Sequence, residues 1–181
     1  ASSEKVYDGR PLENNLVETE GLLDNEPVSF DVTGSQTEVG SSANTFEYTF
    51  GEGVSPDNYE VSKEEGILTV TEAEITLVCP SGENVIKIYD GVALNPAAIA
   101  IVDGPVAATV EYKVGEEEWS TTAPSLNKVG TEIVNVRATA PNHAEKSCMY
   151  VLTVTPPDGV VVKIIGHTET FTYDGTEKSI H

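Results

Sequence analysis

Apolar and polar residues alternate with a period of two along much of this chain. Val28-Ser29-Phe30-Asp31-Val32 reads this way, and so do Thr45 to Phe50, Val110 to Val114 and Ile133 to Ala138. Successive side chains of a strand point to opposite faces, so the pattern predicts strands with one face on a core and one in water. Turn signals fall between the runs at Asp8-Gly9, Gly34-Ser35, Asp90-Gly91 and Gly115-Glu116. Roughly six or seven short strands in about 80 residues predict an all-β chain built of Ig-like β-sandwich units. β-grasp-like units are the alternative, but they need an amphipathic helix. The one stretch to weigh for it, Asp57 to Glu65, is too short and too β-rich.

The pattern also recurs. Tyr-Asp-Gly stands at Tyr7-Asp8-Gly9, Tyr89-Asp90-Gly91 and Tyr173-Asp174-Gly175, at two nearly equal intervals. Leu68-Thr69-Val70-Thr71 returns as Leu152-Thr153-Val154-Thr155, and Asn58-Tyr59 as Asn142-His143, both at the interval that separates Tyr89 from Tyr173. Val39-Gly40 returns as Val129-Gly130 at a longer interval, which places an insertion between them. Several markers in one order at nearly one period indicate tandem repeats. The expected division is 1–72, 73–156 and, after the turn-rich Pro156-Pro157-Asp158-Gly159, the start of a third repeat over 157–181. The second repeat opens with a leading strand, Ile75 to Val78, before Ile86 to Tyr89. Val160 to Ile165 precede Thr170 to Tyr173 in the same way, whereas the first repeat has no leading strand. Residues 158–181 are therefore expected either to lack order or to add to a sheet of another copy, replacing the leading strand absent from the first repeat.

Composition narrows the class. The hydrophobic fraction of 39% and charged fraction of 22% suit an ordinary folded domain, and 15 Gly and 10 Pro among frequent Val and Thr favour strands. Thirty acidic against ten basic residues give a net charge of −20. Such a surface repels phosphate backbones and anionic lipid, so neither nucleic acid nor a membrane surface is an expected partner. No apolar run reaches the ~18 residues of a membrane span. No signal peptide is visible, so an export signal or wall anchor is expected outside these residues. Cys79 and Cys148 match no zinc or redox spacing and are either two buried thiols or one disulfide. As a disulfide they would contribute about 4 kcal/mol in the chain-entropy model.

The strings Lys5-Val6-Tyr7-Asp8-Gly9-Arg10-Pro11-Leu12, Thr33 to Gly40, Asn58-Tyr59 and Gly66 to Thr71 resemble the Tyr-Asp-Gly (YDG) and mostly-beta-glycine-rich (MBG) repeats of large surface proteins, mainly of Gram-positive bacteria. In the second repeat Gly104-Pro105, Val110-Glu111-Tyr112, Glu118 to Pro124, Val136 to Thr139 and Tyr150 to Pro156 look like a related bacterial Ig-like repeat. The resemblance implies stalks or adhesive arrays. Cys79, Cys148 and the His143 that replaces the repeat tyrosine depart from it.

Catalytic chemistry finds no foothold. His143, His167 and His181 are scattered and read as surface residues; neither a metal triad nor a Ser-His-Asp set can be drawn from them, and no GxSxG, HExxH or phosphate loop occurs. Glu116-Glu117-Glu118 read as a solvated hairpin tip, with Trp119 turning into the core at its edge. Asp24-Asn25-Glu26 and Asp57-Asn58 offer oxygen ligands but lack an EF-hand loop. Lys87 and Asn135 are the one pair to weigh for an isopeptide bond. Tyr48, Tyr112 and Tyr150 lie in alternating strands and read as core; Tyr59 alone sits in a loop-like setting where a ring can stack on sugar. The candidate ligand contacts are thus Tyr59 and Trp119. No enzyme, cofactor or metal is expected. The expected role is a spacer in an extracellular, cell-wall-attached protein, its partners the neighbouring repeats. The alternative is an adhesin module binding glycan or host matrix protein.

Overall fold

The computed structural model describes residues 1–23, 26–159 and 163. The third Tyr-Asp-Gly, the expected Val160 to Ile165 strand, His167, His181, Asp24 and Asn25 lie outside the described residues, as does nearly all of the 158–181 segment expected to exchange between copies. The first repeat holds β1 Ser3–Val6, β2 Val28–Val32, β3 Gly40–Asn44, β4 Phe46–Phe50 and β5 Gly66–Thr71. The second holds β6 Ala73–Glu74, β7 Thr76–Val78, β8 Ile86–Ile88, β9 Ile99–Ile101, β10 Thr109–Val114, β11 Gly130–Thr139, β12 His143–Ala144 and β13 Lys146–Thr155. The chain is all-β. Among the described residues the only helical turns are 3-10 turns at Pro56–Asn58 and Gly82–Asn84, so the helix a β-grasp unit requires is lacking.

In the second repeat the period-two runs become one mixed sheet in the order β10-β11-β13-β8. β11 is antiparallel to both neighbours, and β8 runs parallel to the end of β13. Alternation puts Tyr112, Val134, Val136, Tyr150, Leu152 and Val154 on one buried face. Leu77 of β7 packs over that face with Leu94 and Ala98, and Leu126 completes the core. Two phenols tie the layers together. Tyr150 donates to the Pro96 carbonyl (3.1 Å), and the Ala98 amide donates to the Tyr112 oxygen (3.0 Å). A disulfide between Cys79, just after β7, and Cys148 on β13 adds a covalent link between the same layers.

Burial, then the neighbouring Tyr112, pushes the Tyr150 phenol up to about 12. A group whose pKa is raised in the fold contributes stability that is complete below its unfolded value of about 10 and is lost as pH rises through the folded value. The second repeat is therefore expected to loosen between about pH 10 and 12. Tyr150→Phe removes that titration, so near-UV circular dichroism during a base titration should show a later onset. An unchanged onset would assign alkaline loss to other groups.

The first repeat reuses the plan with fewer strands. Its three-stranded sheet has the order β1-β5-β3, with β1 parallel to β5. The parallel registers of the two repeats coincide, Val6 facing Thr71 as Ile88 faces Thr155. Leu68 and Val70 are buried against Tyr7, Leu12 and Ala73. The ladder of β2 with β4 forms a separate two-stranded sheet.

Candidate functional site: the repeat joint and an aromatic cleft

The Tyr-Asp-Gly recurrence has a structural cause. Asp8 Oδ1 accepts the Arg10 amide (3.0 Å) and the Lys5 ammonium (2.5 Å), and Lys5 also reaches the Arg10 carbonyl (2.6 Å). Asp90 does the same with the Val92 amide (2.9 Å) and Lys87 (2.7 Å), and Lys87 donates to the Val92 carbonyl (2.7 Å). The lysine bond, then the backbone amide, holds each carboxyl below its ordinary range. Gly9 and Gly91 sit at φ of +77° and +83°, where a side chain is strained. The lysine two positions before Tyr7 and before Tyr89 is thus part of each turn, whereas Phe171 holds that place before Tyr173. Its ties also leave Lys87 no route to Asn135, which stands on the outer face of β11 opposite Met149.

The two repeats meet at a built joint. On the second repeat's side Ala73 donates its amide to the Asn142 carbonyl (3.0 Å), and β6 runs parallel to β12, which fixes the segment that carries Asn142 and His143. Asn142, at φ +61°, accepts the Val39 amide on its side-chain oxygen (3.0 Å) and donates its side-chain NH₂ to the Glu38 carboxylate. His143 is buried, not on the surface as its sequence context suggested. Its ring meets Tyr7 edge-on at 5.6 Å, and its nitrogens lie 2.8 and 3.1 Å from the carbonyls of Pro141 and Asp103. Gly9 belongs to the same contact, since a Cβ there would stand 2.5 Å from Pro105. The consequence shows in the two equivalent tyrosines: Tyr7 is 5% exposed under the joint, whereas Tyr89 is 42% exposed.

A cleft of about 650 Å³ opens in the first repeat. Its origin is visible by comparison. In the second repeat β11 pairs along its length with β13, from Gly130–Val154 to Ala138–Lys146. In the first repeat the corresponding strand is broken into β3 and β4. β3 stays on β5 as far as Asn44–Gly66, and β4 leaves with β2. The break falls beside Asn44, at the position of core Val134. The buried Asn44 amide turns away to the carbonyls of Ala1 (2.9 Å) and Asn14 (2.8 Å). The inward rings Phe30, Phe46, Tyr48 and Phe50 are left half-buried, facing segments 17–22 and 59–64 across the gap. Tyr48 therefore lines a cleft and does not join a core. Lys63 stands over the Phe46 ring at 4.9 Å and pairs with Glu47 and Glu65.

Tyr59 stacks on Phe50 (5.7 Å, 22° between planes) at the edge of this cleft, and its hydroxyl donates to Glu26. That bond to a carboxylate, then burial, raises the phenol above its ordinary value. Trp119 lies elsewhere, on the second repeat. It does not enter the core. It is half-buried beneath the Arg137 guanidinium at 4.4 Å, and Arg137 in turn binds Glu111 (2.8 Å). The structure does not bring Tyr59 and Trp119 together. Glu116, Glu117 and Glu118 are exposed at the hairpin tip between Val114 and Ser120. Among the described residues no group of three or more His, Cys, Asp or Glu is placed to hold a metal ion, and no helix is long and apolar enough to cross a membrane.

No family model matches the chain, and neither a curated protein nor a solved structure matches it.

Proposed function

We propose that this chain is a pair of Ig-like repeats from the stalk of a bacterial cell-surface or secreted protein, with a spacing role and no catalysis. The observation that carries this reading is the joint. Asn142 and His143 are spent on the neighbouring repeat, which is what a tandem array needs if each unit is to contact only its neighbours yet hold a direction. The uncovered Tyr89, Gly91 and Val129 repeat the positions of Tyr7, Gly9 and Val39, so a following repeat would find the same seat. The disulfide fits an oxidising location outside the cytoplasm, and the net charge of −20 favours solubility of an exposed array.

The reading is tested by ¹⁵N relaxation on the whole chain. The two repeats should reorient as one elongated body. Asn142→Ala with His143→Ala should uncouple them, at a cost of about 2 kcal/mol from the lost hydrogen bonds and edge-on ring contact. Independent tumbling of the unaltered chain would remove the basis for a spacer.

The second reading, an adhesive module for glycan or host matrix protein, draws on the aromatic cleft, since rings stack on the apolar faces of sugars. A multivalent screen against glycan and matrix-protein arrays, with Tyr59→Ala as control, separates it from the first.

A further inference from the structure

The surface of the first repeat that meets the second has a counterpart on the second repeat itself. Gly40 enters β3 opposite Val70, and Gly130 enters β11 opposite Val154. Just before them Gln36 bridges Leu12 by two backbone bonds (2.8 and 3.1 Å), as Leu126 bridges Leu94 (2.9 Å each). The tyrosine amide is held on the same carbonyl in both, Tyr7 on Thr71 (2.9 Å) and Tyr89 on Thr155 (2.8 Å). Residues 36–40 and 126–130 are therefore equivalent in structure as well as in sequence. Val129 stands at the place of Val39, and Lys128 at the place of Glu38.

That last exchange reverses a charge at a point the joint uses. Asn142 donates its side-chain NH₂ to the Glu38 carboxylate and accepts the Val39 amide on its oxygen (3.0 Å). The asparagine has no freedom to turn this round. Its backbone is fixed by the His143 amide on the Ala140 carbonyl (3.2 Å) and by Ala73 on its own carbonyl (3.0 Å), and with its oxygen committed to Val39 its NH₂ must face position 38. A carboxylate accepts that donor. An ammonium only donates, so lysine at the same place sets donor against donor. We infer that position 38, with its counterpart 128, selects the repeat that each seat accepts. Glu38 takes a neighbour presenting an amide donor. The seat with Lys128 takes a neighbour presenting a carboxylate there, and refuses a further copy of the second repeat. Tyrosine, glycine and valine are common to both seats and carry no discrimination; the repulsive element does. This rests on the spacer reading and deepens it, because the joint then sets the order of the repeats as well as their direction.

Charge exchange in the whole chain tests this. Glu38→Lys should open the joint: amide exchange at Val39 quickens at least about tenfold, and the two repeats cease to reorient together. Adding Asn142→Asp should restore both, since one carboxylate oxygen still accepts the Val39 amide and the other meets the new ammonium. Asn142→Asp alone should open the joint too, carboxylate against carboxylate. Trp119 fluorescence and the amide spectrum of each repeat report that the variants are folded. A second arm reads the other seat. In a chain of residues 1–156 followed directly by another copy of 73–156, Pro156 stands where Glu72 stands, and the added repeat should tumble freely beside Lys128. Lys128→Glu should lock it, slowing amide exchange at Val129 at least about tenfold. If the unaltered chain tumbles as two bodies, the spacer reading falls and this inference with it. If it tumbles as one and Glu38→Lys leaves it so, the inference alone falls. It is overturned as well if the double variant stays as loose as the single one, if the added repeat locks beside Lys128, or if Lys128→Glu leaves that repeat loose.

Discussion

Breaking the Cys79–Cys148 bridge lowers the stability of the second repeat by about 4 kcal/mol and leaves the first repeat's transition in place. The sequence separation is 69 residues, and a closed loop of that length removes conformational entropy from the unfolded chain on this scale. The Cα atoms stand 6.4 Å apart, inside the span that a disulfide bridges without moving the backbone. Locally the loss falls on β7, a three-residue strand held otherwise by β9 and by Leu77 against the core. Trp119, the only tryptophan, lies in the second repeat, so its fluorescence follows that repeat alone during urea unfolding. A Cys79→Ala, Cys148→Ala chain should show the midpoint shift. The same shift should appear in the unaltered chain under reductant. A midpoint that stays fixed in both would mean that the bridge adds no stability.

What the sequence disclosed follows from the range of each interaction. Strands with a buried face declare themselves by alternation, and Val28–Val32, Phe46–Phe50, Thr109–Val114 and Gly130–Thr139 cover the expected runs. β3 did not, because Gly40-Ser41-Ser42-Ala43-Asn44 has almost no apolar residue and is held by its ladder to β5. β9 was equally silent: Ile99-Ala100-Ile101 turns its two large side chains outward. β6 and β12 are two residues each, too short for an alternation to show, and are held by each other within the second repeat. The repeat turn was legible in Asp and Gly, and the lysine in it could have been found from its shared place two positions before Tyr7 and Tyr89, although Phe171 takes that place before Tyr173. His143 and Tyr48 were misplaced for one reason. Periodicity tells which side of a strand a residue occupies, but whether that side is covered depends on another repeat for His143 and on the split between β3 and β4 for Tyr48. Trp119 errs in the opposite sense: a large ring after an acidic tip suggests a core edge, yet Arg137 on the outer face of β11 provides a cover that sequence spacing does not reveal.

Leu68→Ala and Leu152→Ala remove the same side chain from the same place in two copies of one design, and their costs should differ. Both leucines are fully buried on an inner strand of their sheets, β5 and β13. Leu152 sits among seven other buried core residues, cross-braced by two phenol hydrogen bonds and the disulfide, so its surroundings cannot close on the void. The expected loss is about 3–5 kcal/mol. Leu68 sits in a smaller cluster beside a sheet that has already split at Asn44. That repeat can collapse further, so the loss should be nearer about 2–3 kcal/mol. The smaller loss should nevertheless do more harm. Leu68 packs in the cluster that includes Tyr7, whose ring carries the joint to His143, so the first repeat and its hold on the second weaken together. Urea unfolding read by amide signals of each repeat should show Leu152→Ala shifting the second transition alone. Leu68→Ala should shift the first transition and also separate the two repeats' tumbling. Equal costs, or intact coupling after Leu68→Ala, would mean that the split sheet is as rigid as the continuous one and that the joint does not draw on the core beneath it.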